Sequence, residues 1–127
     1  MKKKVLFTAF AILMLTSVLI YAYGYVKRLT VTDYGGDTTS TGRTYQVGQP
    51  GYCFVSTIVN DSQGGQVQVS INGMGMDGHP IQYEQGGPYQ IQVGYMNTGD
   101  YVNIIVLTKT TNDSTKYTTS ELWQWQN

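Results

Sequence analysis

Alternating apolar and polar residues dominate the chain after residue 28 and predict strands. In residues 66–72 the apolar side chains Val67, Val69 and Ile71 occupy every second position. This pattern is typical of a strand with one face on a core and the other in water. Residues 101–108 are apolar on both faces, which predicts a central strand. The predicted strands are residues 29–34, 43–47, 52–60, 66–72, 80–84, 88–96, 101–108 and 117–126.

The spacing of these strands predicts an all-β domain. Seven or eight short strands, with turn signals about every 8–12 residues, are typical of a β-sandwich or a small barrel. No stretch after residue 28 shows helical periodicity. The composition agrees, since Tyr, Thr, Gln, Asn and Gly are abundant there, whereas Lys, Glu and Ala are scarce. The 127-residue chain therefore accommodates one such domain, predicted to span residues 29–127.

Two segments of this domain resemble strands of immunoglobulin-like domains. Residues 59–67 (VNDSQGGQV) resemble a second strand that ends in Asn and leads through a glycine turn into an alternating third strand. Residues 99–106 (GDYVNIIV) resemble the penultimate strand of such domains. The CARDB-like adhesion domains of prokaryotic surface proteins have this pattern, and the resemblance covers about residues 45–110. It implies an immunoglobulin-like sandwich without the antibody-type disulfide, because Cys53 is the chain's single cysteine.

The N-terminal segment, residues 1–28, is predicted to be an export signal. Three lysines at positions 2–4 precede an uncharged stretch from residue 5 to residue 26. Its 22 residues would span about 33 Å as a helix, which matches the roughly 30 Å hydrocarbon core of a bilayer. The segment is either a signal peptide cleaved after Ala22 or Gly24, or an uncleaved signal-anchor helix. Both alternatives keep the N-terminus inside and place the β-domain outside, on the cell surface or secreted.

Charge and chemistry argue against several classes of function. Beyond residue 24 the chain carries five basic and eight acidic residues, and this net negative charge does not favour nucleic acid as a partner. The single histidine, His79, lies in a glycine-rich loop near Asp77 and Glu84, too few groups for a typical metal site. Cys53 lies in an apolar run and is interpreted as a buried core residue. The sequence thus predicts no catalytic, metal or cofactor site.

The aromatic residues provide a candidate contact surface. The chain has eleven Tyr and two Trp residues, more than the core of so small a domain needs. Exposed rings on a sheet suit contact with proteins or carbohydrates, because they offer contact area at a low entropic cost. We take Tyr89, Tyr95, Trp123 and Trp125 as the candidate contact residues.

Two further features bear on function. Asn60 and Asn112 each begin an Asn-Asp-Ser sequon in a predicted turn, so both are candidate glycosylation sites. Residues 29–34 form a strand that a flexible, glycine-rich connector tethers to the domain. Such a strand could be lent to the sheet edge of a neighbouring subunit. Its candidate donor side chains are Leu29, Val31 and Asp33.

The leading hypothesis is a non-enzymatic, exported cell-surface protein whose β-sandwich mediates binding or assembly in the envelope. Its expected partners are the membrane, through an uncleaved N-terminal helix, and other envelope proteins or copies of itself. The alternative is a subunit of an extracellular filament, either pilin-like or joined by donor-strand exchange. A secreted enzyme is the third hypothesis, for which we find no catalytic set.

Overall fold

The computed structural model describes residues 24–126, which form β-strands joined by turns and loops. The predicted N-terminal helix lies outside these residues, except that Tyr25 and Val26, at the end of the predicted span, belong to the first strand. No helix within residues 24–126 is long and apolar enough to span a membrane. The strands are β1 (Tyr25–Gly35), β2 (Thr41–Gln46), β3 (Gly51–Asn60), β4 (Gly65–Ile71), β5 (Met74–Gly75), β6 (Ile81–Tyr83), β7 (Gly86–Met96), β8 (Tyr101–Thr108) and β9 (Asp113–Trp125).

The strands form two antiparallel sheets. One sheet has four strands in the order β1-β9-β3-β7. The other has five strands, in which β2, β8 and β4 lie side by side and both β5 and β6 pair with the remaining edge of β4. The strand of residues 101–108, predicted to be central, is β8 and lies between β2 and β4.

The strand order is that of a jelly roll. Strands that follow each other in the sequence take the same place in the two sheets: β1 and β2, β9 and β8, β3 and β4, and β7 with β5 and β6. The chain therefore passes repeatedly from one sheet to the other. A β-sandwich is therefore confirmed, but the strand order is not the immunoglobulin-like order implied by the sequence resemblance. The alternation of residues indicates which side chains face inward. It does not indicate that β1 pairs with β9, which lies at the other end of the chain.

The hydrophobic core lies between the two sheets and consists mainly of aliphatic side chains. Val67 and Val69, predicted to face inward, are fully buried, and Ile71 is half-buried at the end of β4. Cys53 is also buried, as predicted, and burial raises the pKa of its thiol to about 11. The buried cluster comprises Leu29, Val31, Val47, Cys53, Val55, Val67, Val69, Ile91, Met96, Val102, Ile104, Val106 and Leu122.

The sandwich has two ends that differ in their residues. We call the end where β1 begins the proximal end, which is formed by Gly24 and the loops of residues 47–50, 72–73 and 97–100. Hydrogen bonds join two of these loops, from Val47 N to Asp100 O and from Gly99 N to Val47 O, both at 2.8 Å. The opposite, distal end is formed by the loops of residues 36–40, 61–64, 84–85 and 109–112.

Candidate contact surface

Aromatic side chains cluster on the outer face of the four-stranded sheet. Tyr25 on β1 lies opposite Trp125 on β9, and Tyr52 on β3 lies opposite Tyr95 on β7. In the next row, Trp123 lies opposite Phe54. We call this cluster the aromatic face; its members are Tyr25, Tyr52, Phe54, Tyr95, Trp123 and Trp125.

The rings of the aromatic face contact one another edge to face. Tyr25 packs against Phe54 and Trp125, with ring centroids 4.9 and 5.2 Å apart. Tyr52 packs against Tyr95 at 5.2 Å with an interplanar angle of 75°. These arrangements match the geometry that ring quadrupoles favour. The ring contacts therefore form two groups, one of Tyr25, Phe54 and Trp125 and one of Tyr52 and Tyr95.

Exposure differs strongly between members of the aromatic face. Phe54 and Trp123 are buried, whereas Tyr52 and Tyr95 are 61% and 53% exposed. Both exposed tyrosines lie at the proximal end, where β3 begins and β7 ends. Two large rings are thus held in fixed orientations, with more than half of each side chain available to a partner.

The alternation of β9 places both of its tryptophans on this face. The side chains of Thr118, Ser120, Leu122 and Gln124 are buried between the sheets, so Trp123 and Trp125 lie on the other side of the strand. Gln124 anchors this end of β9, because its Nε2 donates to Gln49 O at 2.7 Å and its Oε1 accepts from Arg28 Nε at 3.1 Å.

A β-bulge places Tyr95 on the aromatic face. Cys53 pairs with Gly94 and the next residue, Phe54, pairs with Gln92, so β7 has an extra residue there. Gly94 has a φ of 105°, a conformation that glycine adopts without strain. Strict alternation along residues 88–96 would place Tyr95 on one face with Ile91, but the bulge makes Ile91 point into the core and Tyr95 point outward.

Tyr89 does not belong to the aromatic face. It precedes the bulge and lies on the inner side of β7, opposite the buried Thr57. Its ring stacks on Tyr83 of the other sheet, with centroids 4.3 Å apart and 12° between the planes, and its hydroxyl donates to Glu84 O at 3.0 Å. Burial, with a smaller contribution from Tyr89, raises the pKa of Tyr83. Tyr89 thus packs β7 against β6, away from the aromatic face.

Tyr25, Tyr52 and Phe54 were not among the predicted contact residues. Tyr25 falls within the uncharged span, and residues 52–60 are apolar on both faces, so alternation does not separate their inner and outer side chains. For Tyr52 the available signal is its position directly after a Pro-Gly turn, at the start of a strand.

The proposed donor strand completes its own sheet in this structure. β1 pairs with β9 over nearly its whole length and begins at Tyr25, before the predicted start at Leu29. Leu29, Val31 and Asp33 all point inward and are buried. The carboxylate of Asp33 accepts from Thr108 N at 2.7 Å and from Thr41 Oγ1 at 2.8 Å. The three side chains are therefore buried as those of a donated strand would be, but in the sandwich of their own chain.

The two sequons lie at the distal end. Asn60 is the last residue of β3 and is half-buried, whereas Asn112 is exposed in the loop between β8 and β9. Both positions are thus remote from the exposed pair Tyr52 and Tyr95.

The side chains that could take part in catalysis or metal binding make structural hydrogen bonds instead. His79 Nδ1 accepts a hydrogen bond from Val69 N at 3.1 Å, and desolvation lowers the pKa of its imidazole. Asp61 is buried and accepts hydrogen bonds from Thr110 Oγ1 at 2.6 Å and from Gln63 N at 3.0 Å. Within residues 24–126, no three His, Cys, Asp or Glu side chains lie close enough together to hold a metal ion.

Comparison with known proteins finds similarity in solved structures only. No protein family matches the sequence, and no curated protein matches it. The CBM36-1 domain of a multidomain xylanase from the hindgut metagenome of Trinervitermes trinervoides is similar, with 15% identity and a TM-score of 0.47 over 81% of this chain and 96% of that one. The pre-peptidase C-terminal domain of Bacillus anthracis collagenase has 15% identity and a TM-score of 0.48 over 75% and 88%.

A third similar structure is the secreted serine protease VesC from Vibrio cholerae, with 11% identity and a TM-score of 0.48. The match covers 66% of this chain and 18% of VesC, so the chain spans less than a fifth of that protein. The similarity to these structures concerns the β-sandwich architecture.

Proposed function

We propose that this chain is a non-enzymatic binding and assembly domain on the outer side of a cell membrane, and that the aromatic face is its contact surface. The observation that carries the proposal is the pair Tyr52 and Tyr95, which are more than half exposed yet held edge to face at 5.2 Å. Large apolar side chains exposed next to one another indicate an interaction site.

The construction of the face supports a role in binding. Its rings come from all four strands of one sheet and are backed by the aliphatic core, so their positions are set before a partner arrives. A preorganised surface loses little entropy on binding. Tyr and Trp side chains add contact area with few rotatable bonds.

Hydroxyl-radical footprinting read by mass spectrometry tests this proposal. The full chain would be labelled in detergent solution and in isolated cell envelopes. In envelopes we expect labelling of Tyr52 and Tyr95 to fall several-fold. Tyr34, which is 58% exposed at the distal end, is the matched internal control and should be labelled equally in both. Equal labelling of all three tyrosines in both samples would overturn the proposal.

A second candidate function is assembly into filaments by exchange of β1. The observation favouring it is that β1 is an edge strand with buried side chains, followed by a loop of five exposed residues, 36–40. Exchange between copies would leave every contact of β1 intact while joining two subunits.

A disulfide experiment distinguishes exchanged from unexchanged β1. Thr32 on β1 and Thr119 on β9 have hydroxyl oxygens 2.8 Å apart. Full-length chains carrying only Thr32→Cys would be mixed with chains carrying only Thr119→Cys during refolding and then oxidised. Covalent heterodimers would support exchange. The double variant Thr32→Cys/Thr119→Cys is the control: if it closes only an intramolecular disulfide while the mixture stays monomeric, exchange is ruled out.

A further inference from the structure

The exposed apolar side chains are concentrated at one end of the sandwich. Within residues 24–126 the large hydrophobic residues that are exposed are Tyr34, Tyr52, Met74, Tyr95 and Tyr101. All except Tyr34 lie at the proximal end. Tyr52 and Tyr95 belong to the four-stranded sheet, whereas Met74 and Tyr101 belong to the five-stranded sheet. They therefore form a rim around the proximal end, which we call the proximal rim.

The carboxylates, in contrast to the exposed apolar side chains, are concentrated at the distal end. Of the eight carboxylate side chains in residues 24–126, five lie at the distal end: Asp33, Asp37, Asp61, Glu84 and Asp113. The proximal end has Asp100, whose oxygens accept hydrogen bonds from Asn97 N at 2.8 Å and from Asn72 Nδ2 at 3.1 Å. Lys27 and Arg28 also lie towards this end. The proximal end therefore carries four of the five exposed large hydrophobic side chains and fewer carboxylates than the distal end.

The chain enters the sandwich at the proximal end without a linker. Gly24 O accepts a hydrogen bond from Gln126 N at 2.9 Å, and Tyr25 already pairs with Trp125. The sequence that precedes Gly24 is uncharged from residue 5 onward. A membrane entered by the residues that precede Gly24 would therefore lie next to the proximal rim.

We propose that the proximal rim rests in the head-group region of the lipid bilayer that residues 5–23 enter, so that the sandwich stands end-on with its distal end away from the membrane. This inference rests on the proposed function and names the occupant of the exposed part of the aromatic face. Tyrosine rings have an apolar body and a polar hydroxyl, which suits the boundary between lipid and water.

Three observations favour a lipid surface over a second protein copy. The rim includes residues of both sheets at the same end of the sandwich, whereas a flat interface with a second copy would involve the face of one sheet. The five distal carboxylates lie at the end of the sandwich away from the surface, which avoids repulsion from anionic lipids. The sequons Asn60 and Asn112 also lie at the distal end, where a glycan would not separate the rim from the bilayer.

Quenching of tryptophan by brominated lipids tests the orientation. The full chain would be reconstituted into phosphatidylcholine and phosphatidylglycerol vesicles in a background without tryptophan (Trp123→Phe/Trp125→Phe). Tyr52→Trp then reports on the proximal rim, and Tyr34→Trp, at a similarly exposed position, reports on the distal end. We expect lipids brominated near the head group to reduce Tyr52→Trp emission about twofold and to leave Tyr34→Trp unchanged.

A second reporter pair keeps the proposal testable if the background without tryptophan fails to fold. Tyr52→Cys and Tyr34→Cys in the otherwise native full chain would carry an environment-sensitive fluorophore, with the buried Cys53 protected from labelling. A blue shift on vesicle reconstitution at position 52 alone would support the proposal.

Several results would overturn the inference. Equal quenching at both positions, or none at either, excludes an end-on orientation. A blue shift at position 52 that depends on protein concentration in lipid-free detergent means that a second copy covers the rim. If Tyr52 and Tyr95 are protected in cell envelopes while pure lipid fails to quench, the binding function stands and this inference falls. If that protection is absent as well, both fall.

Discussion

Asp33 on β1 accepts a hydrogen bond from Thr108 N on β8 at 2.7 Å, and thereby joins an edge strand of one sheet to a central strand of the other. The reverse contact is also made, because Thr108 Oγ1 donates to Asp33 O at 2.6 Å. Both residues are buried. The position of β1 thus depends on a polar contact between the sheets as well as on Leu29 and Val31.

Asp33→Ala should reduce the free energy of unfolding by about 3 kcal/mol, because it leaves the buried Thr108 N and the partly buried Thr41 Oγ1 without their acceptor. Denaturant unfolding monitored by tryptophan fluorescence measures this. Asp37→Ala is the matched control, since Asp37 is exposed and bonds only to Thr39. An equal loss in both variants would contradict the assigned role of Asp33.

Thr118→Val should increase the free energy of unfolding by about 1 kcal/mol. Among the residues that the structure describes, Thr118 Oγ1 is buried without a hydrogen-bond partner, next to Gly65. Valine has nearly the same shape and removes the unsatisfied hydroxyl. Thr57→Val is the control and should lower the free energy of unfolding, because Thr57 Oγ1 forms a hydrogen bond with Ser120 Oγ at 2.7 Å. Denaturation midpoints that shift in the same direction would disprove this interpretation.

Stability should fall in acid, partly through Asp61. Burial raises the pKa of its carboxyl, but hydrogen bonds from Thr110 and Gln63 together lower it below the ordinary value of 3.8. Because the folded-state pKa is the lower one, the unfolded chain takes up protons first as the pH falls. The contribution of Asp61 is complete above about pH 5 and is lost as the pH falls through the folded-state pKa.

Urea titrations between neutral pH and about pH 3 measure this linkage. The slope of unfolding free energy against pH should be smaller for Asp61→Asn than for the unsubstituted chain. Asp37 and Asp113, whose pKa values are lowered by hydrogen bonds from Thr39 and Thr115, account for part of the remaining slope. Identical slopes for the variant and the unsubstituted chain would show that Asp61 is not linked to folding.

Cys53 should react with a thiol reagent only when the chain unfolds. With its pKa raised to about 11, little thiolate exists near pH 8, and the side chain is buried. We expect labelling in native conditions to be at least about a hundredfold slower than in guanidinium chloride. Ser62→Cys, at an exposed turn, is the control and should react rapidly in the folded state. Fast native labelling of Cys53 would indicate local opening of β3.

The sequence by itself determined the class of the fold and most of the strands. Alternation with a period of two is a local property, so it identified Val67 and Val69 as inward-facing. Turn residues marked the loops, and the lone cysteine in an apolar run indicated a core residue.

Only the tertiary structure decided which strands pair and where the exposed rings lie. The pairing of β1 with β9 depends on how the whole chain winds between two sheets, and local alternation has no information on it. The bulge at Gly94 shifts the register by one residue, which moves Tyr95 to the outer face and leaves Tyr89 inside. The proximal rim likewise exists only because winding brings Tyr52, Met74, Tyr95 and Tyr101 from separate strands to one end.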